Sequence, residues 1–296
     1  MINELKPGFA RHKGGWADAE KYLWNNHMVG IHWRDLPSAN RHDYERTQAK
    51  REISNINKFA QNGGIIGASY RSITKGKMLV GKVKPNSNII ILYFKNGDLK
   101  SKDKINPGES IDNNVSEYHP IIKSLKLQDV KTVSRDEYGI LFESSIRPRS
   151  WSICKWPSAE KHLKNAFKGE KLSLDVNSLT NDQLEVLCEE YLRIVNPRYT
   201  GLARIGGTTS DVDIIGKTKN HIIYAQVTFG NKEKVNKKIK VLNDYSEHKV
   251  IMFAMKTSKP KHIPDGVIFL PIESVFETVL LNPAGRDMIN KMLNRS

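Results

Sequence analysis

Cysteine is scarce: Cys154 and Cys188 are the only two among 296 residues. Two thiols cannot staple a disulfide scaffold or build a paired CxxC zinc site, so each is expected to act as a small buried apolar residue. Long apolar runs are missing as well. Mean hydropathy is -0.51, and nothing approaches the roughly 18 apolar residues of a membrane span, so no membrane partner is expected. The opening MINELKPGFARHKGG lacks the apolar stretch of a secretory signal, which makes a cytoplasmic protein the expectation. Acid is short relative to base: 32 Asp and Glu face 47 Lys and Arg, a net charge of +15. Such a surface attracts phosphates and speeds encounters with polyanions. Nucleic acid is therefore the leading partner class, with a small anionic substrate as the alternative. There is no GxxxxGK[ST] loop, GxSxG elbow or HExxH pair, so a P-loop NTPase, an α/β-hydrolase and a helix-borne zinc protease have no support.

The turn signals and apolar patterning that are present divide the chain into two halves. The first, about 1–150, carries short strand-like runs at Met28–Trp33, Gly64–Ser69, Met78–Val83, Asn88–Phe94 and Tyr138–Phe142. Turn chemistry such as Lys84-Pro85-Asn86, Asn96-Gly97-Asp98 and Pro107-Gly108 separates them, with helical pieces at Gly15–Asn25 and Arg41–Asn62. This spacing suits a small mixed or barrel-like β domain. From about Leu172 the character changes. A helix is expected over Thr180–Val195, then strands at Val212–Ile215 and His221–Val227, an amphipathic basic helix at Lys232–Leu242, strands at Val250–Ala254 and Gly266–Leu270, and a helix at Ile272–Leu281. A further early strand is expected within Tyr199–Ile205. The boundaries are set at 1–157 for the first domain, 158–174 for a linker and 175–296 for the second domain.

The most informative passage is GGTTSDVDIIGKTKNHIIYAQVTFG, residues 206–230. Asp213 opens one strand and Gln226 closes the next, so an antiparallel hairpin places both side chains at one end of the sheet. A carboxylate, an amide oxygen and the nearby Val227 carbonyl suit a hard divalent ion such as Mg²⁺, with Mn²⁺ as the alternative. Such an ion activates water and stabilises charge on a phosphodiester. Asp211 is the competing carboxylate; its place in the turn makes it a turn residue or an outer support. Lys232, Lys234 and Lys238 on the following helix read either as a solvated face or as phosphate-binding groups.

At these residues the sequence resembles the PD-(D/E)XK nuclease superfamily, and within it the Mrr-like restriction endonucleases, which have a glycine-rich turn before the aspartate and Gln in place of the second acid. The resemblance covers about 175–285. It implies a metal-dependent site in which Glu185 of the preceding helix, Asp213 and Gln226 are the catalytic residues, with Asp213, Gln226 and the Val227 carbonyl on the metal. Where the family carries lysine, two positions after the amide, this chain has Thr228. A lysine migrated to Lys232, Lys234 or Lys238 is one outcome, and a site without chemistry is the other. The absence of a P-loop implies that any restriction activity is not driven by this chain's own ATP hydrolysis.

MVGIHWRDLPS at Met28–Ser38 and INKFAQNGGIIGASYRSITKGKMLVGKV at 56–83 resemble the EVE-like members of the PUA superfold over about 15–155. That likeness implies a β-barrel similar to YTH and SRA-like readers, which stack a flipped base between aromatic rings. Trp33 and Tyr70 are then the base-reading candidates, with Trp16 or Trp151 as a further wall, while Trp24 reads as core. The other reading of any one of these rings is core packing.

The fold expected is therefore α/β in the α+β arrangement, with a PUA/EVE-like β-barrel domain before a PD-(D/E)XK-like domain. The function expected is a Mg²⁺-dependent DNA endonuclease of restriction or defence type, selective for base modification in one version. The alternative is a non-catalytic nucleic-acid-binding protein with a degenerate nuclease domain. DNA ranks ahead of RNA as partner, and a homodimer is left open.

Overall fold

The computed structural model describes residues 6–12, 15–111, 116–142, 147–148, 152–204, 212–293 and 295. The chain is α+β and divides into two units, Met1–Lys171 and Leu172–Ser296. Among the described residues no helix is long and apolar enough to cross a membrane.

The elements of the first unit run β1 (Pro7–His12), α1 (Ala17–Asn25), β2 (Met28–Ile31), α2 (Thr47–Asn62), β3 (Gly64–Tyr70), β4 (Lys77–Val83), β5 (Ile89–Lys95), β6 (Asp98–Ile105), β7 (Ile121–Lys126), β8 (Gln128–Ser134), β9 (Ile153–Lys155) and α3 (Glu160–Lys168). They build two sheets, β8-β4-β3-β1-β9 and β2-β7-β5-β6. The first is mixed, since β1 runs parallel to β3, and the second is antiparallel. The expected barrel takes the form of these two sheets; among the described residues no ladder closes either one into a ring. Their inner faces share a core with Ile53, Ile56 and Phe59 of α2. Burial of such aliphatic and aromatic side chains is the main favourable term in folding, roughly 1.5–3 kcal/mol for each fully buried one.

Residues 158–174, expected as a linker, are helical over Glu160–Lys168 and belong to the first unit as far as Lys171. The charged stretch Ser158–Lys168 reads as helical from the sequence, but its place in the first unit does not, because α3 buries only a narrow stripe: His162, Leu163 and Ala166. That stripe lies close over β3, where a Cβ at Gly67 would come within 2.9 Å of the Leu163 side chain and 2.8 Å of Met78 Sδ. Glycine at 67 is what lets helix and strand approach.

The second unit runs α4 (Asn181–Val195), β10 (Thr200–Arg204), β11 (Ile214–Lys217), β12 (Ile222–Thr228), α5 (Lys232–Leu242), β13 (Lys249–Ala254), β14 (Val267–Pro271), α6 (Ile272–Leu281) and α7 (Pro283–Met292). Its strands form one sheet in the order β10-β11-β12-β13-β14, antiparallel from β10 to β12 and parallel from β12 to β14. A parallel pair needs a crossover, and α5 supplies it between β12 and β13. The start of α4 is fixed chemically: Thr180 and Gln183 form a reciprocal capping box, worth about 1 kcal/mol.

Alternation along β12 decides what each helix covers. Ile223, Ala225 and Val227 share one face, and Tyr224, Gln226 and Thr228 the other. Val235, Ile239 and Leu242 of α5 cluster with Val250, Met252 and Ala254 of β13. Those β13 residues pair in register with Tyr224, Gln226 and Thr228, so Gln226 lies on the face that α5 covers. On the opposite face Tyr191 of α4 meets Phe253 edge-on at 6.2 Å.

Candidate active site

Beyond Ile214 and Ala225, the last paired residues of β11 and β12, the strands part at Asp213 and Gln226. Asp213 is held from both its backbone and its side chain: its N–H donates to the Ala225 carbonyl at 2.9 Å, and its Oδ2 accepts the Val227 N–H at 2.7 Å. In a strand the N–H and C=O of one residue point to the same edge, so the Val227 carbonyl is directed toward the side where β11 has ended.

Lys238 comes in from α5. Its Nζ lies 3.7 Å from Asp213 Oδ2, with the lysine side chain 27% exposed and the carboxylate 16%. Burial pulls the lysine's pKa below its ordinary value and Lys234 adds to that, while Asp213 and Glu185 work in the opposite direction. Glu185, half-buried on α4, is thus within electrostatic reach of the same ammonium. Beneath them Cys188 is fully buried; burial, then Glu185 and Asp213, push its thiol well above the ordinary range. It is a packed apolar residue rather than a nucleophile.

Gln226 is 2% exposed, and its Oε1 is buried with no hydrogen-bond partner among the described residues. An orphaned buried carbonyl of this kind costs about 1–3 kcal/mol. Among the described residues no group of three or more His, Cys, Asp and Glu gathers to hold a metal; the donors available here are a carboxylate, an amide oxygen and a backbone carbonyl. That all-oxygen set fits Mg²⁺ or Mn²⁺, and the unsatisfied Gln226 oxygen is the observation that favours the fit.

Of the three candidate lysines only Lys238 reaches Asp213. Lys232 and Lys234 are exposed on the first turn of α5. Thr228 does not replace a lysine: it is buried, and its hydroxyl accepts the Gly230 N–H at 3.0 Å to shape the turn into α5. Asp211 and the Gly206-Gly207 pair lie outside the described residues.

In the first unit the base-reading candidates are not brought together. Tyr70 is fully buried; it donates to the Met28 carbonyl and stacks on His12 at 4.3 Å. It is a core residue in this conformation. Trp33 is half-buried, its indole N–H donating to Glu52 of α2 at 2.8 Å. Trp24 meets Tyr70 edge-on and packs on the core. Trp16 meets the rings of His32 at 4.4 Å and His119 at 5.5 Å. Trp151 lies outside the described residues. Two buried ionisable groups were not singled out from the sequence. Lys123, fully buried, donates to the Leu36 carbonyl at 2.7 Å and the Tyr44 hydroxyl at 3.2 Å. Glu52, also fully buried, accepts from Trp33 and the Ser152 N–H. Neither belongs to a local motif; their partners lie far off along the chain.

In comparisons with known proteins, no family model and no curated protein matches this chain.

Proposed function

We propose that the second unit carries a divalent-metal-dependent nuclease site acting on DNA, and that the first unit selects or holds the substrate. The observation that carries this reading is the contact of Lys238 with Asp213 at the end of the hairpin that also carries Gln226, whose buried Oε1 has no hydrogen-bond partner among the described residues. Asp213, Gln226 and the Val227 carbonyl would hold Mg²⁺ or Mn²⁺, which when bound supplies Lewis acidity toward a phosphoryl oxygen and lowers the pKa of water.

The chain's own groups do the remainder. The Val227 N–H fixes the Asp213 carboxylate so that no reorganisation is needed when substrate arrives. Lys238, charged beside that carboxylate, donates to a non-bridging phosphate oxygen or to the attacking water, the role left vacant by Thr228. Burial lowers the proton affinity of Lys238, and Asp213, with a smaller contribution from Glu185, opposes that lowering. The basic surface supplies affinity through phosphate, whereas selection among bases falls to the first unit, where Trp33 and the Trp16, His32 and His119 rings are the groups available for stacking.

The test is cleavage of matched unmodified, cytosine-methylated, hydroxymethylated and glucosylated DNA with Mg²⁺, with Asp213→Ala alongside. Cutting that requires the metal and disappears in the variant is the expected result. DNA that is bound but never cut, with or without Mg²⁺ or Mn²⁺, would overturn the nuclease reading in favour of a binding module.

A further inference from the structure

The first unit has a strongly basic groove along the solvent face of α2. Its floor lies between that helix and β9, and its volume is about 730 Å³. Arg41, Lys50, Arg51, Lys58 and Lys155 line it, and among the described residues no Asp or Glu does. A smaller hollow of about 180 Å³ continues it past Asn55, Lys58 and Lys155 to Lys6 and Asn62.

Sequence spacing explains the geometry. Lys50, Ser54, Lys58 and Asn62 recur every four residues and form one helical stripe, with Arg51 and Asn55 beside it. Ala49, Glu52, Ile53, Ile56, Phe59 and Ala60 form the buried stripe behind, with the Glu52 carboxylate taken up by Trp33 and the Ser152 N–H. The Asn55 amide donates to the Ile153 carbonyl at 3.0 Å, which ties β9 to the helix and fixes Lys155 opposite the Lys50–Lys58 row.

What marks this groove is that its cations gather on one concave surface. Several exposed cations elsewhere in the unit sit against carboxylates: Arg34 on Glu45 at 3.0 Å, Lys82 on Asp129 at 2.5 Å, Lys95 on Glu117 at 2.6 Å. Arg41, Lys50, Lys58 and Lys155 have no such partner among the described residues. Like charges lining one concave surface repel one another in the free protein and focus a positive field into the groove. A polyanion relieves the repulsion and takes up the field.

We propose that this groove is a track for the phosphate backbone of duplex DNA. From Lys50 to Asn62 the helix rises about 18 Å, the axial length of about five base pairs of duplex DNA at about 3.4 Å each. Single strands are held with the help of exposed aromatic platforms; among the described residues the groove offers only Phe59, which is 4% exposed. The groove stands independently of the candidate catalytic residues, and the choice of DNA over another polyanion rests on the proposed function.

The experiment is fluorescence anisotropy of a short labelled duplex DNA with the full chain, titrated across salt. It compares the unaltered protein with K50Q/K58Q/K155Q, with the single charge reversal K58E, and with K102Q on β6. These groove lysines are surface residues, and thermal melts check that each variant is folded. The triple variant should bind at least about tenfold more weakly, with the slope of log K against log salt reduced by about 2–3, roughly 0.9 for each lost phosphate contact. K58E should weaken binding in the same direction, and K102Q, on exposed β6 outside the groove, should bind as the unaltered chain does. Unchanged affinity and slope in folded K50Q/K58Q/K155Q and K58E would overturn the track. Displacement of the DNA by duplex RNA at lower concentration than by unlabelled DNA would overturn the choice of partner. Loss of the nuclease reading shows separately, as absence of cutting with binding and its salt slope intact.

Discussion

Lys238 Nζ stands 3.7 Å from Asp213 Oδ2, joining the middle of α5 to the end of β11. The two are 25 positions apart in the sequence, and neither has a role that the other could fill. If Lys238 supplies the charge that Thr228 cannot, its removal should cost chemistry and spare binding. Lys238→Met is expected to lower the single-turnover cleavage rate by about 10²–10³-fold, the range for loss of one preorganised donor. Lys238→Arg should recover part of the rate, since the charge returns in a different shape. DNA affinity measured at fixed salt should move by less than about threefold in either variant. A rate unchanged in Lys238→Met would remove Lys238 from the mechanism.

The Gln226 amide yields a prediction about stability rather than rate. Its Oε1 is buried and unsatisfied among the described residues, so Gln226→Leu should leave the metal-free fold unharmed or stabilise it by about 1–3 kcal/mol. The unaltered protein should gain stability with added Mg²⁺ in proportion to RT ln(1 + [Mg²⁺]/Kd). In Gln226→Leu that gain should shrink or vanish. Thermal melts in EDTA and across a Mg²⁺ series check both halves, and a full Mg²⁺ response in the variant would show that the amide is not a ligand.

How legible this molecule was in its sequence depended on how local each determinant is. The α5 limits, Lys232–Leu242, and the α6 limits, Ile272–Leu281, could be read directly because the apolar spacing that defines each lies within a dozen residues. Asp213 and Gln226 share a strand end because a hairpin register is fixed by its own turn. Lys238 could be narrowed to three candidates but not chosen among them, since helical phase relative to the sheet is set by how Val235 and Ile239 seat on β13. Tyr70 looked like a reader because aromatic residues near turns fit both roles; its burial follows from the long-range contacts to Met28 and His12. The helix over Glu160–Lys168 could be read as a charged helical stretch at Ser158–Lys168, but its polar faces hid its packing on the first unit; the basic groove was hidden because Lys155, which lines it, lies on a strand about a hundred residues from α2.

Gly67 tests whether α3 is integral to the first unit. A methyl group there meets Met78 Sδ at 2.8 Å and the Leu163 side chain at 2.9 Å. Gly67→Ala should cost about 1–3 kcal/mol, the ordinary penalty for overpacking. Leu163→Ala in the same background opens the space and should recover part of the loss, despite being destabilising on its own. Urea unfolding of the two single variants and the double variant measures the coupling; simple additivity would mean that helix and strand are not pressed together at this point.

Lys123 offers the sharpest test of the interior of the first unit. The side chain is fully buried, its ammonium satisfied by the Trp33 and Leu36 carbonyls and the Tyr44 hydroxyl rather than by a carboxylate at ion-pair distance. Burial lowers its pKa to about 7 from 10.5, with Asp35 opposing weakly. The unfolded chain keeps this lysine protonated up to about pH 10.5, so between about pH 7 and 10.5 the unfolded state binds the extra proton. Stability contributed by this group therefore rises with pH across that interval, by up to about 1.4 kcal/mol per unit. Below about pH 7 both states are protonated and the contribution is flat. Above about pH 10 the slope should reverse, because burial raises the pKa values of the Tyr44 and Tyr70 phenols and keeps them protonated in the fold while they ionise in the unfolded chain. Urea midpoints at pH 7 and pH 9 should accordingly increase for the unaltered protein. In Lys123→Met the increase attributable to this group should be absent, with stability at pH 7 close to or above that of the unaltered chain, since an apolar side chain has no charge to desolvate. An identical pH dependence in the two proteins would mean that Lys123 titrates as an ordinary surface lysine.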